Sequence, residues 1–88
     1  MKLRGEFVVR QVMDQIVAIP VGQLALTFNG MIMLNQVSKV IWDCLEQEAD
    51  LDGIVTAVTD AFDVSAQEAR TDILEFCDKL RKLQLLEE

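Results

Sequence analysis

Two cysteines, Cys44 and Cys77, are the softest nucleophiles among these 88 residues, and neither has a histidine to activate it, because the chain contains none. A thiol attacks carbon or binds metal as the thiolate, which needs a nearby base or cation to form at neutral pH. A structural zinc site draws four ligands from Cys, His and carboxylates, usually with paired-cysteine spacing that is missing here. Tyrosine is absent too, and no glycine-rich phosphate loop or nucleophile–base spacing occurs. Catalysis would have to run on Asp, Glu, Lys and Ser alone. The expectation is therefore a non-enzyme with no metal and no cofactor. Both cysteines sit in helix-like apolar patterns, so they read as buried thiols of a cytoplasmic protein.

What remains is the chemistry of recognition. Met31-Ile32-Met33-Leu34 is a short apolar strand, and Arg70, Leu74, Cys77 and Arg81 recur at helical spacing, an apolar centre between two basic ends. A strand edge offers main-chain hydrogen bonds, and a helix stripe beside it offers pockets. Flexible thioethers suit a surface that must adapt to varied apolar guests. The plainer readings stand beside these. Leu74 and Cys77 could widen the core stripe of their helix, and Met31 and Met33 could fill the core. Alternation lets only one of the pairs Met31/Met33 and Ile32/Leu34 face inward.

Composition limits the partners. Half the residues are apolar and the net charge is −7, with a positive mean hydropathy. Such a chain fills a core and leaves apolar surface over, which usually marks an interaction site. A domain this small, taken as one unit over residues 1–88, has a modest stability margin. The charge is unevenly placed: Met1–Asn35 nets +1 and Gln36–Glu88 nets −8. Nucleic acid is not expected, because phosphate binding needs clustered Lys and Arg. Neither a membrane span nor a signal peptide is expected, since no long apolar run occurs.

The elements that would position these residues come in a clear order. Glu6–Val12 and Gln15–Pro20 are rich in β-branched and aromatic residues and flank Met13-Asp14, predicting two strands and a tight turn. Asn29-Gly30 lies between Leu24–Phe28 and Met31–Leu34 and predicts a two-residue hairpin turn, although Gly22 and the Leu-Ala-Leu run also permit a loop in the first arm. Asn35 is placed to cap a helix over about 36–47, and Asp50 a second over Leu51–Ala61. Ser65 and Glu68 form a capping-box pattern opening a third helix to about Leu83, with Ala66, Ala69, Ile73, Phe76, Leu80 and Leu83 as its core stripe. The fold class is α+β, an N-terminal three-stranded antiparallel sheet followed by three helices in winged helix-turn-helix order.

Together these residues resemble the PqqD-like family of peptide chaperones and recognition domains of ribosomally made, modified peptides. The resemblance rests on Leu34-Asn35 followed by Ile41-Trp42, with support from Phe7–Arg10, Leu51-Ile54-Val55, Phe62-Asp63-Val64 and Asp72-Ile73 leading to Phe76 and Leu80. The chain departs from the family pattern at Ser38 and Lys39, where a glycine and a small residue are common, and at Gln84, where a glycine is common. The resemblance implies capture of a precursor's leader segment as an added strand, presented to a modifying enzyme such as a radical S-adenosylmethionine enzyme. The implied site is Met31, Ile32, Met33 and Leu34 with Arg70, Leu74, Cys77 and Arg81. Two other readings are a homodimer or larger homo-oligomer through the same edge and a helix-turn-helix DNA reader. The second would set Asp72, Glu75 and Asp78 against phosphates.

Overall fold

The computed structural model describes residues 1–88. Lys2–Leu3 forms a short strand (β1), and the β-branched segments Glu6–Val12 (β2) and Gln15–Val21 (β3) form an antiparallel hairpin paired from Glu6↔Val21 to Val12↔Gln15. Met13 takes a positive φ of 60° in its two-residue turn. β3 is the central strand, and its other side pairs with Ile32–Leu34 (β4) in the register Ile16↔Leu34, Val17↔Met33 and Ala18↔Ile32.

The segment between β3 and β4 differs from expectation. Leu24–Thr27 winds into a single helical turn (α1), closed by Phe28 N–H donating to the Leu24 carbonyl at 2.8 Å, and Asn29-Gly30 joins no hairpin. Gly22, with a φ of 65°, turns the chain out of β3, and the Leu-Ala-Leu run that follows is made of good helix formers. The third place in the sheet is then filled by β4, reached through a longer connection.

Three helices follow: Gln36–Glu46 (α2), Leu51–Ala61 (α3) and Ala66–Lys82 (α4). Each begins where a side chain satisfies the first free amides. Asn35 Oδ1 accepts from Ser38 N–H at 2.8 Å while Ser38 Oγ accepts from Asn35 N–H at 2.8 Å, a complete capping box. Ser38, where the family commonly has a glycine, is thus a working partner of the cap. Asp50 accepts from Gly53 N–H at 2.7 Å. Ser65 Oγ accepts from Glu68 N–H at 3.0 Å, but the Glu68 carboxylate accepts from the Ser65 hydroxyl rather than from its amide.

α4 ends in a Schellman motif: Leu85 N–H donates to the Leu80 carbonyl at 2.9 Å and Gln84 N–H to the Arg81 carbonyl at 3.0 Å. The motif forces Gln84 to a φ of 61°, a conformation that glycine adopts without cost. The glycine common here in the family therefore has a backbone cause. Gln84→Gly is expected to raise unfolding stability by about 0.5–1 kcal/mol, measured by chemical denaturation. Past the motif, Leu86–Glu87 (β5) pairs with β1 through Leu3↔Leu86, joining the two ends of the chain.

The core lies between the sheet and the helices. Ala18, Ile32 and Leu34 from the sheet meet Ile41, Trp42 and Leu45 of α2, Ile54, Val55 and Val58 of α3, and Ala69, Ile73, Cys77 and Leu80 of α4. Trp42 is fully enclosed and takes Phe7 of β2 edge to face, with centroids 4.9 Å apart and planes at 84°. On α4 the buried line passes through Cys77, whereas Phe76 is half-buried and Leu83 and Ala66 are exposed. No helix is long and apolar enough to cross a membrane.

Candidate functional site

β4 is an edge strand whose outer side pairs with nothing. Which of its backbone groups are free follows from alternation. Residues flanking a two-residue hairpin turn exchange both hydrogen bonds, so Val12↔Gln15 is a bonded pair and every second pair along the ladder is bonded too. Phe7↔Pro20 then falls on a non-bonded pair, as it must, because proline has no N–H to give. In β3 the alternation directs Ile16 and Ala18 toward β4, so Leu34 and Ile32 are the bonded residues of β4. Met33 therefore turns its N–H and C=O outward, as does Met31 one step earlier in the same alternation. Asn35, the next residue of that parity, is already spent in the α2 cap. No residue from Met31 to Leu34 makes a backbone hydrogen bond outside the sheet.

The free edge faces a groove of about 380 Å³ lined by Met33, Asn35, Val37, Ser38 and Ile41 on one side and by Asp72, Glu75, Phe76 and Lys79 of α4 on the other. Met33, Val37 and Phe76 supply the apolar surface, with Ile41 buried at the floor, and the three charged side chains are exposed. The capping box fixes where α2 leaves β4. Two shallower depressions continue it along α4. One is shared at Asp72 and reaches Glu68, and the other is shared at Glu75 and Lys79 and reaches Asp78, Lys82 and Leu83. An unpaired strand edge beside a wall with apolar recesses can hold an extended peptide, whose backbone would extend the sheet and whose alternate side chains would enter the recesses.

Comparison with known proteins gives the family and the fold. The family of Coenzyme PQQ synthesis protein D (PqqD) matches residues 9–86. The chain belongs to the PqqD family. The solved structure of TbiB1 in complex with the TbiA(beta) leader peptide is similar to it, with a TM-score of 0.77 and 25% identity. The match covers 99% of this chain and 95% of that one. No curated protein matches the chain.

The residues expected from sequence fall in different places in this PqqD-family chain. Met33 is 47% exposed and lines the groove, and Met31, 57% exposed, stands beside it. Ile32 and Leu34 are buried and face the core, so their contribution to the edge is to hold it on β3. The stripe on α4 lies away from this groove. Cys77 is inside the core, and Arg70 turns to Asp52 of α3 at 3.2 Å. Arg81 donates to both Glu88 oxygens at 2.9 Å and to Asp78. Leu74 is 49% exposed, and none of these four lines the groove. The wall is instead Asp72, Glu75, Phe76 and Lys79, rotated round the helix from the expected face. The missed signal was the half-apolar position Phe76 bracketed by charges at i−4, i−1 and i+3, the mark of a helix face that is neither core nor open surface.

Both thiols are held neutral. Burial pushes the Cys77 thiol up, with Arg81 opposing; burial and then the Asp43 carboxylate push Cys44 up. Cys44 is half-buried and Cys77 buried, so iodoacetamide at pH 8 is expected to modify Cys44 first and Cys77 only as fast as the fold opens. The folded state favours the protonated thiols. Their contribution to stability is complete below the ordinary thiol pKa of about 8.5 and is lost as pH rises above it. Urea midpoints measured at rising alkaline pH should therefore fall less steeply in Cys77→Ala, compared with its own value at neutral pH.

Proposed function

We propose that this chain is a non-catalytic peptide-binding protein. It takes the leader segment of a precursor peptide as an added strand on β4 and holds it for a modifying enzyme, of the radical S-adenosylmethionine type. The single observation that carries this reading is the free N–H and C=O of Met33 facing the α4 wall across an apolar groove. Membership of the PqqD family supports it, as does the likeness to TbiB1, which was solved with a leader peptide. In this reading Met31 and Met33 supply main-chain hydrogen bonds, each worth about 0.5–1.5 kcal/mol net. Met33, Val37 and Phe76 receive apolar side chains, and Asp72, Glu75 and Lys79 form the polar rim. Nothing in the groove is arranged to break or form a covalent bond. The other sheet edge, β2, is a poorer acceptor, since Glu6, Arg10 and Gln11 along it are exposed.

The test is a titration of the nitrogen-15-labelled domain with the leader segment of a precursor peptide encoded beside its gene. Amides of residues 31–34 and 72–79 are expected to shift together. Shifts confined to β2, or to the exposed face that carries Leu74, would overturn the groove assignment.

A further inference from the structure

The α4 wall of the groove is ordered by charge. Glu68, Asp72, Glu75, Lys79 and Lys82 follow one another at steps of four and three residues, so they share one face of the helix, with the carboxylates toward its N-terminal half and the ammonium groups toward its C-terminal end. All five are exposed, and each lines the groove or a depression continuous with it. Asp78 also lines the C-terminal depression, but its carboxylate is taken by Arg81 at 2.6 Å. Glu68 takes only a long hydrogen bond from the Ser65 hydroxyl, at 3.4 Å, and the other four side chains make no hydrogen bond or ion pair within the chain. Lys2, Arg4, Lys39, Arg70 and Arg81 each meet a carboxylate within 4.0 Å, whereas Lys79 and Lys82, like Arg10 on the distant strand β2, meet none. Even Glu75 and Lys79, spaced to pair along the helix, do not. The helix dipole favours acids at the start and bases at the end, but it acts within the first and last turns. It accounts for Glu68, Lys79 and Lys82 and leaves Asp72 and Glu75 unexplained.

We infer that the groove selects its guest by charge order: an extended peptide with an apolar anchor over Met33, Val37 and Phe76, basic residues on the side of Asp72 and Glu75, and acidic residues on the side of Lys79 and Lys82. This rests on the strand-addition reading and adds the chemical class of the guest. A peptide of the same composition in the reverse order meets like charges at both ends. The overall charge of the domain cannot make that distinction, because both orders carry the same net charge.

Two synthetic probes test this, one with lysines before a Val-Leu-Val centre and glutamates after it, the other with glutamates first. One order is expected to bind about tenfold more tightly than the other, as a few exposed ion pairs exchanged for like-charge contacts would give. A nitroxide on the lysine end of the tighter probe should broaden amides of residues 68–72, not those of 79–82. In the variant Asp72→Lys, Glu75→Lys, Lys79→Glu, Lys82→Glu, whose net charge is unchanged, the preference should reverse. Equal affinities with shifts at residues 31–34, or a lysine end beside residues 79–82, would overturn the charge order and leave strand addition standing. Binding without shifts at residues 31–34 would overturn both. The nitroxide result on the unaltered domain decides the matter even where the variant does not fold.

Discussion

Met33→Pro is expected to weaken leader-peptide binding about 10- to 100-fold, from one lost main-chain hydrogen bond and a guest carbonyl left unpaired, about 1.4–2.8 kcal/mol together. The fold should survive. Met33 belongs to a non-bonded pair with Val17, so its N–H takes no part in the sheet, and the residue before it, Ile32, is already extended as a residue preceding proline must be. The ring would project along the edge where a guest strand has to approach. Lys39→Ala is the matched control: Lys39 pairs with Asp43 on the exposed side of α2 and does not line the groove. Calorimetric titration of both variants, with circular dichroism to confirm the fold, gives the comparison. Equal affinities for the two would remove the edge from the account.

The largest effect on stability is expected at Trp42. Trp42→Ala should cost about 3–5 kcal/mol, the range for emptying a buried aromatic site, and a domain of this size has total stability of that order or a little more. The variant should populate the unfolded state at room temperature, read by circular dichroism because Trp42 is the only tryptophan. Trp42→Phe should cost much less. It retains an aromatic face for Phe7, and it removes the indole Nε1, which is buried without an acceptor. An unsatisfied buried donor carries a desolvation penalty of about 1–3 kcal/mol, and losing it offsets part of the cavity term. If both substitutions cost the same, the orphaned N–H contributes nothing.

The parts of this fold legible in the sequence are those with local causes. Asn35, Asp50 and Ser65 mark the three long helices because a cap acts within three residues of itself. The β2–β3 hairpin could be read because β-branched runs flank a two-residue turn. Leu24–Phe28 could not, since Leu-Ala-Leu suits a helical turn and a strand alike, and the choice fell to β4 competing for the edge of β3. The pairing of Leu3 with Leu86 joins residues at opposite ends of the chain and leaves no local signal.

The candidate site divides the same way. The strand β4 could be read as a short apolar run ending at a helix cap, although not which of its residues face the core. The groove wall was not, because its position on α4 depends on how the helix is rotated over the sheet. Apolar periodicity reports the side of a helix that is fully buried. Leu74 and Cys77 look alike in that pattern, yet one is half-exposed and the other enclosed. The wall residues Asp72, Glu75 and Lys79 look like ordinary solvated positions until β4 is placed across from them. Arg70 and Arg81 stood out as cations on an acidic chain, but each neutralises neighbouring carboxylates at the edge of the domain.

Hydrogen exchange at the Met33 amide tests the central claim most directly. In the free domain this N–H points to solvent and should exchange at nearly the rate of an open chain, while those of Ile32 and Leu34 are protected by β3. With the leader peptide at saturation, strand addition requires the Met33 amide to become protected and to shift in the direction of a new hydrogen bond, with Ile32 and Leu34 little changed. A saturated complex in which Met33 still exchanges at its free rate would contradict the account.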